Sequence, residues 1–289
     1  MGGGSWTTDS FRSYSKSVGR AVTSSGMLDD SYNVQTLYRS RNLQKELNPY
    51  NVVRECCDSE EHPNTIPVIL ALDVTGSMGS AAAEVAKTLN VVMTSLYEKI
   101  NDVEFMIMGI GDLAYDDAPI QASQFESDIR IAEQLDKIYF EGGGGGNAFE
   151  SYTGAWYFGL NHTKLDCWNR GKKGIIITMG DEPLNPYLPK GRLSLVTGDR
   201  LQADVETSEL YNSVIEKFDV YHLAVNDRAT SYRSYRDRIA STWGKYLDDD
   251  HLKVVTLNNI SQTIVDIVTA SSNNVHSDEQ NSGFMEISW

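Results

Sequence analysis

The chain has 289 residues, and its 40 acidic side chains outnumber its 25 Lys and Arg, which leaves a formal net charge of −15. So acidic a chain repels the phosphate backbone, and this argues against nucleic acid as its partner. The charged share of 22% and the aromatic share of 10% are ordinary for a folded protein, so global disorder is excluded.

The cysteines and the first residues bear on the cellular compartment. Cys56 and Cys57 are adjacent and Cys167 is distant, so they form neither a disulfide framework nor a CxxC motif. The first six residues lack a basic segment followed by an apolar run, and no window reaches the ~20 apolar residues that cross a bilayer. We therefore expect a cytoplasmic protein with no membrane association.

The first part of the chain differs in composition from the rest. Residues 1–61 are rich in Gly, Ser, Thr, Asn and Arg, and we interpret them as a partly irregular N-terminal extension. Within it, residues 34–47 predict a short helix that Asn48-Pro49 ends, because the residue before proline avoids the helical region. Residues 62–272 are predicted to form one domain, and residues 273–289 a C-terminal tail.

From Ile66 onward, apolar runs of strand length alternate with stretches of helical period. The run from Ile66 to Asp73 is continuously apolar, which predicts a central strand covered on both faces. Further strands are predicted at 103–110, 119–125 (at an edge), 174–181, 219–226 and 251–257. Helices are predicted at 79–100, 128–139, after 148, and at 204–218, 232–247 and 260–270. The pattern predicts an α/β fold: a Rossmann-like, doubly wound, mainly parallel sheet of about six strands with helices on both faces.

Oxygen-bearing side chains follow the buried strands of this pattern. Asp73, Thr75 and Ser77 come directly after the first of them, and Asp181 with Glu182 follows another. Ligands in open α/β sheets bind beyond the carboxyl ends of the strands, where such loops meet. Hydroxyl and carboxylate oxygens suit Mg²⁺ or Mn²⁺. The sequence therefore predicts a divalent-metal site at this edge.

The series Asp73-x-Thr75-x-Ser77, a later Gly-rich helix entrance and Asp181 resembles the von Willebrand factor A (VWA) domain with its metal-ion-dependent adhesion site (MIDAS), over residues 67–271. The resemblance implies that Thr75 and Ser77 bind the metal through their hydroxyls, while Asp73 and Asp181 act near it, often through water. Family members usually add a threonine before the next helix. This chain offers Asn147 or Glu150 there instead, with Asp112 and Glu182 as possible residues behind the ligands.

The resemblance also implies a function. VWA domains of this type are non-enzymatic protein-interaction modules, in which an acidic side chain of another protein completes the metal coordination. Two sequence motifs resemble intracellular microbial and phage-encoded members more closely, the CoxE-like proteins among them: Leu72-Asp-Val-Thr-Gly-Ser-Met78 and Gly180-Asp-Glu-Pro183. That likeness implies a MoxR-type AAA+ ATPase or a phage or bacterial assembly as partner.

Other interpretations of the same residues remain open. The Asp73 loop also resembles that of haloacid dehalogenase-type phosphotransferases, in which Asp73 would be a nucleophile assisted by Mg²⁺. Asp, Thr and Ser at this place could simply cap a helix. The glycine run 142–146 lacks the G-K-[ST] ending of a phosphate-binding P-loop. The aromatic residues Phe149, Tyr152 and Trp156 are interpreted as core.

Overall fold

The computed structural model describes residues 4–142, 149–226 and 233–281. The strands are β1 (Arg54–Cys56), β2 (Ile66–Asp73), β3 (Val103–Ile110), β4 (Ile120–Glu126), β5 (Thr163–Leu165), β6 (Gly174–Gly180), β7 (Tyr187–Leu188), β8 (Val205–Glu206), β9 (Phe218–Val225) and β10 (Leu252–Val255). The helices are α1 (Thr8–Ser17), α2 (Val34–Leu37), α3 (Gly79–Tyr97), α4 (Arg130–Leu135), α5 (Thr153–Asn161), α6 (Lys190–Thr197), α7 (Thr207–Val214), α8 (Arg233–Trp243) and α9 (Ile260–Asn281).

The main sheet has six strands in the order β10-β9-β6-β2-β3-β4. All neighbours are parallel except β3 and β4, which pair antiparallel at the edge. The predicted fold class is confirmed, and so is the edge position predicted for the strand at 119–125, which is β4. Because β2 and β6 are neighbours, the loops after them leave the sheet side by side.

Helices cover both faces of this sheet, as the apolar character of β2 predicts. Val68, Leu70 and Leu72 of β2 point into a core shared with α3 and α9. Ile69 and Ala71 point into a second core shared with α5, α7 and α8. The alternation of side chains along a strand thus places one strand in two hydrophobic cores.

The N-terminal segment packs against the sheet-and-helix body. Trp6, Phe11 and Leu47 are buried in the core that contains α3. Arg20 donates two hydrogen bonds to the carboxylate of Asp136, at 2.6 and 2.8 Å. In addition, β1 pairs in parallel with β5. Residues 4–61 therefore contribute core side chains and buried hydrogen bonds.

Three predicted elements differ from the structure. The helix predicted over 34–47 ends at Leu37, and only a 3₁₀ turn at Lys45–Leu47 follows. Tertiary contacts explain this, because Tyr38 turns extended and donates from its hydroxyl to the carbonyl of Ala82 at 2.9 Å. The stretch between the predicted strand 174–181 and the predicted helix 204–218, for which no helix is predicted, contains α6, which begins directly after Pro189. Helix α9 runs past its predicted end to Asn281.

No helix within the described ranges is both long and apolar enough to cross a membrane. Residues 282–289 of the predicted C-terminal tail lie outside the described residues, as does Asn147.

Candidate metal centre

The turn after β2 orients the Thr75 hydroxyl. Oδ1 of Asp73 accepts hydrogen bonds from the backbone N–H of Thr75 at 2.9 Å and from its hydroxyl at 2.6 Å. Since a hydroxyl has one hydrogen and two lone pairs, the Thr75 oxygen keeps its lone pairs for a cation. Asp73 itself is fully buried, with 0% of its surface exposed.

The loop after β6 orients the Ser77 hydroxyl through Asp181. The Ser77 hydroxyl donates to Oδ1 of Asp181 at 2.8 Å, although the two residues are 104 positions apart. The lone pairs of Ser77 are therefore also available. Thus the structure brings Asp73, Thr75, Ser77 and Asp181 together at the carboxyl edge of the sheet.

Tyr152 links the two loops. Its hydroxyl donates to Oδ2 of Asp73 at 2.7 Å and accepts from the backbone N–H of Glu182 at 3.2 Å. A Cβ placed on Gly180 would lie 1.9 Å from this hydroxyl, so a glycine is required at the end of β6. Tyr152 is buried in the core, as the sequence predicts, but its hydroxyl also reaches the candidate metal centre, which the sequence pattern does not predict. Its place directly before α5, at the same edge as the predicted ligands, was the available signal.

An aromatic cluster supports the Asp181–Glu182 loop from below. The indole N–H of Trp243 in α8 donates to the carbonyl of Glu182 at 3.2 Å. The ring of His222 stacks on that indole, with centroids 3.7 Å apart, and Tyr152 packs against both. Burial holds the pKa of His222 well below its usual value, so this ring is neutral. Glu182 is therefore held by its backbone.

Glu150 brings another carboxylate to the centre from the segment before α5. It is 5% exposed, and its Oε2 has no hydrogen-bond partner. Burial, followed by the negative charges of Asp73, Asp116 and Asp112, raises its pKa to about 10. A buried carboxylate oxygen without a donor is costly, and a cation beside it would remove the cost.

Asp73 also titrates abnormally. Burial raises its pKa to about 7, although hydrogen bonds from Thr75 and Tyr152 act in the opposite direction, and the charge of Asp181 adds to the rise. The field at this edge is therefore negative. A divalent cation would reverse the balance by favouring the ionised carboxylates.

Asp112 lies in the loop after β3, next to the segment that carries Glu150. Its Oδ1 accepts from the N–H of Ala114 at 2.7 Å, while its buried Oδ2 has no partner. Ser151 joins the two segments, because its hydroxyl accepts from the N–H of Leu113 at 3.0 Å and its N–H donates to the carbonyl of Gly111 at 3.2 Å. This connection fixes Glu150 relative to the edge.

These residues fit a hard divalent cation. The hydroxyls of Thr75 and Ser77 present free lone pairs. The buried Oδ2 of Asp112 and Oε2 of Glu150 have no hydrogen-bond donor. Within the described part of the chain, no group of three or more His, Cys, Asp and Glu side chains forms a metal cluster by itself. Any site here consequently depends on the hydroxyls of Thr75 and Ser77. The predicted ligand Asn147 falls outside the described residues.

Comparison with known proteins gives only remote similarities. No family model matches the chain, and neither does any curated protein. Its structure is similar to the pilus adhesin SpaC of Lactobacillus rhamnosus GG, with a TM-score of 0.49 and 12% identity over 78% of this chain and 32% of the adhesin. The chain thus spans about a third of the adhesin.

Two other solved structures are similar at the same level. The vWF domain of the type V pili tip protein Mfa5 from Porphyromonas gingivalis has a TM-score of 0.43 and 10% identity, over 78% of this chain and 98% of that domain. Proximal thread matrix protein 1 of the mussel byssus, which has a zinc-occupied MIDAS motif, gives 0.42 and 11%, over 75% of this chain and 48% of that one. Similarity this low leaves the family open.

Proposed function

We propose that this chain is a VWA-type, non-enzymatic protein-interaction module whose divalent-metal site binds an acidic side chain of a partner protein. One observation supports this most directly. Asp73 and Asp181 each accept the hydrogen of a hydroxyl, on Thr75 and Ser77 respectively, so both hydroxyl oxygens present lone pairs at one edge. A turn that merely capped a helix would not need the second loop.

The residues divide the work as follows. Thr75 and Ser77 supply neutral oxygens, and Glu150 supplies an unpaired carboxylate oxygen in the place of the usual threonine, with Asn147 as the other candidate. Asp73 and Asp181 orient the hydroxyls and balance charge. Bound there, Mg²⁺ or Mn²⁺ would keep residual positive charge for a partner carboxylate. Asp112 and Glu182 stand behind the ligands.

The phosphotransferase alternative has little support from the geometry. Asp73 is wholly buried, and both of its oxygens accept hydrogen bonds, from Thr75 and from Tyr152. A carboxylate so engaged cannot approach a phosphorus atom without giving up these contacts. We therefore propose no catalytic residue.

The proposal extends to the setting. The sequence around Asp73 and Asp181 supports an intracellular microbial or phage-type, CoxE-like protein. Its partner would then be a MoxR-type AAA+ ATPase or a phage or bacterial assembly. The three cysteines are free thiols, and this supports a reducing, cytoplasmic compartment. Because the chain carries a charge of −15, partner choice would depend on the loops around the metal more than on long-range attraction.

Calorimetric titration with Mg²⁺, Mn²⁺ and Zn²⁺ tests the site. We expect one binding event in the wild-type protein and a loss of about 10- to 100-fold in affinity in Ser77→Ala. Ser80→Ala, an exposed serine on the first turn of α3, is the matched control and should bind as the wild type does. Equal metal affinity in all three proteins would rule out the proposed centre.

A further inference from the structure

A groove opens directly beside the metal centre. It has a volume of about 620 Å³, and its lining includes Ser77 and Asp181. The first turns of α3 form the floor with small residues, among them Gly79, Ser80 and Ala83. These small side chains let a peptide backbone come close to the start of the floor, before the longer Glu84 and Lys87. The groove therefore borders the candidate metal centre through Ser77 and Asp181.

The N-terminal extension forms one wall of the groove. Residues 30 and 32–35 line it, facing Val225 at the end of β9 and Leu257 beyond β10. Asn33 fixes this wall by capping α2, where it accepts from the N–H of Thr36 at 3.1 Å. Val34 touches the floor, since a Cβ on Gly79 would lie 3.2 Å from its Cγ1. The extension thus shapes the surface beside the metal.

The length of the groove suits a short extended segment. Lys87 lines its far end, eight residues along α3 from Gly79. At ~1.5 Å per helical residue, the floor is about 12 Å long. An extended chain covers this distance in about four residues.

The far end of the groove is acidic. Lys87 donates to the backbone carbonyl of Asp30 at 3.3 Å, and its ammonium lies only 4.0 Å from the Asp30 carboxylate, which is 96% exposed. Glu84 sits on the same face of α3, and burial raises its pKa. Among the described residues it has no ion pair within 4.0 Å. Two carboxylates against one ammonium leave a net negative charge.

The geometry points to an extended segment of a partner protein as the occupant of this groove, with an acidic residue at the metal centre and a Lys or Arg three to five residues away, paired with Glu84 and Asp30. This inference rests on the proposed function, because it takes the metal centre as the anchor for the acidic residue. It gives the N-terminal extension a role in choosing the partner. Charge complementarity assigns the acidic residue to the metal end of the groove and the basic residue to the far end, for either chain direction.

A peptide-display selection tests the inference on the full chain. The library has a fixed Asp in the middle of about eleven residues, which leaves about five positions on either side and is enough to span the groove in either direction. Peptides are captured in Mg²⁺ and eluted with a chelator. We expect Lys and Arg to be enriched about three- to fivefold at positions three to five from the Asp, the fold-change of a partly exposed ion pair.

The variants separate this inference from the proposed function. In the double variant Asp30→Asn with Glu84→Gln, chelator-sensitive capture should persist while the basic enrichment is lost. Glu98→Gln, an exposed acid just past the end of α3 and outside the groove, should keep the enrichment.

Metal-dependent capture without basic enrichment in the wild-type protein, or enrichment that survives the double variant, would overturn the inference and leave the proposed function intact. Capture that ignores the chelator, or that is equal for a library with Asn in place of the fixed Asp, would overturn the proposed function itself.

Discussion

The hydroxyl of Tyr152 donates a hydrogen bond of 2.7 Å to Oδ2 of Asp73, across 79 positions of the sequence. The hydroxyl oxygen of Tyr152 also accepts a hydrogen bond from the backbone N–H of Glu182 at 3.2 Å. One buried phenol therefore ties the loop after β2 to the loop after β6. The position of Asp73, and through it the direction of the Thr75 hydroxyl, depends on this contact.

Replacing Tyr152 with Phe should weaken metal binding while the fold persists. Oδ2 of the buried Asp73 would lose its donor, which costs about 1 to 3 kcal/mol of unfolding free energy. We also expect Mg²⁺ affinity to fall about tenfold, because Asp73 becomes free to move. Urea unfolding in chelator and calorimetric titration measure the two effects.

The control for this prediction is on α5, the helix that directly follows Tyr152. Tyr157 of α5 donates its hydroxyl to Asp199, away from the metal centre. Tyr157→Phe should therefore lower stability by a similar amount and leave Mg²⁺ affinity unchanged. Equal losses of metal affinity in both variants would contradict a specific role for Tyr152.

Gly180→Ala should destabilise the protein. The added Cβ would meet the Tyr152 hydroxyl at 1.9 Å inside a packed cluster, and overpacking of this kind costs about 1 to 3 kcal/mol. Gly191→Ala serves as the control, since a Cβ there meets no atom within 4 Å and lies in α6. The control should gain about 0.5 to 1 kcal/mol from helix propensity. Thermal unfolding distinguishes the two, and a neutral Gly180→Ala would refute the close approach.

Arg20→Ala should destabilise the whole domain, because Arg20 holds the extension to it. The side chain is 5% exposed and donates to Asp136 and to the carbonyl of Leu37. Its removal leaves the partly buried carboxylate of Asp136 with the Tyr14 hydroxyl as donor but without its counter-charge, at a cost of about 2 to 4 kcal/mol. Arg12→Ala, on the exposed side of α1, should change stability by less than about 0.5 kcal/mol. If residues 4–61 unfolded in urea in a separate transition from the rest of the domain, the prediction would be contradicted.

Asp58→Asn should show a pH-dependent effect. Burial acts to raise the pKa of Asp58, but hydrogen bonds from Thr65 and Arg170 outweigh it and hold the pKa below 3.8. A lowered carboxyl pKa adds stability above the unfolded value of 3.8, and this stability is lost as the pH falls through the folded value. The variant should lose up to about 1 kcal/mol at pH 7, limited by solvent screening, and progressively less as the pH falls below 3.8. Urea unfolding midpoints of the wild type and the variant, measured from pH 7 down to pH 2, test this. A difference in midpoint that stays constant with pH would contradict the lowered pKa of Asp58.

Some of this molecule was predictable from local pattern. Continuous apolar runs at 66–73 and 174–180 predict strands buried on both faces, and the residue after each run must lie at the carboxyl edge. The pattern alone therefore places Asp73, Thr75, Ser77 and Asp181 at one edge of the sheet. The bonds between Asp73 and Thr75 form within one turn, whereas the bond between Ser77 and Asp181 depends on β2 and β6 being neighbours.

Other features depend on residues far apart in the chain, whose contacts leave no periodic signal. The helix expected over 34–47 stops at Leu37 because Tyr38 bonds to α3, and this tertiary contact outweighs local propensity.

The sequence by itself determined the six strands of the main sheet and the four oxygen-bearing residues at their ends, because hydrophobic periodicity and position in a strand are local properties. Only the tertiary structure decided that Tyr152 holds Asp73, that Glu150 brings an unpaired carboxylate to the same edge, and that residues 30 and 32–35 form a wall beside it. These relationships arise when elements separated by tens of residues pack together, and packing geometry is not written in the spacing of any one segment.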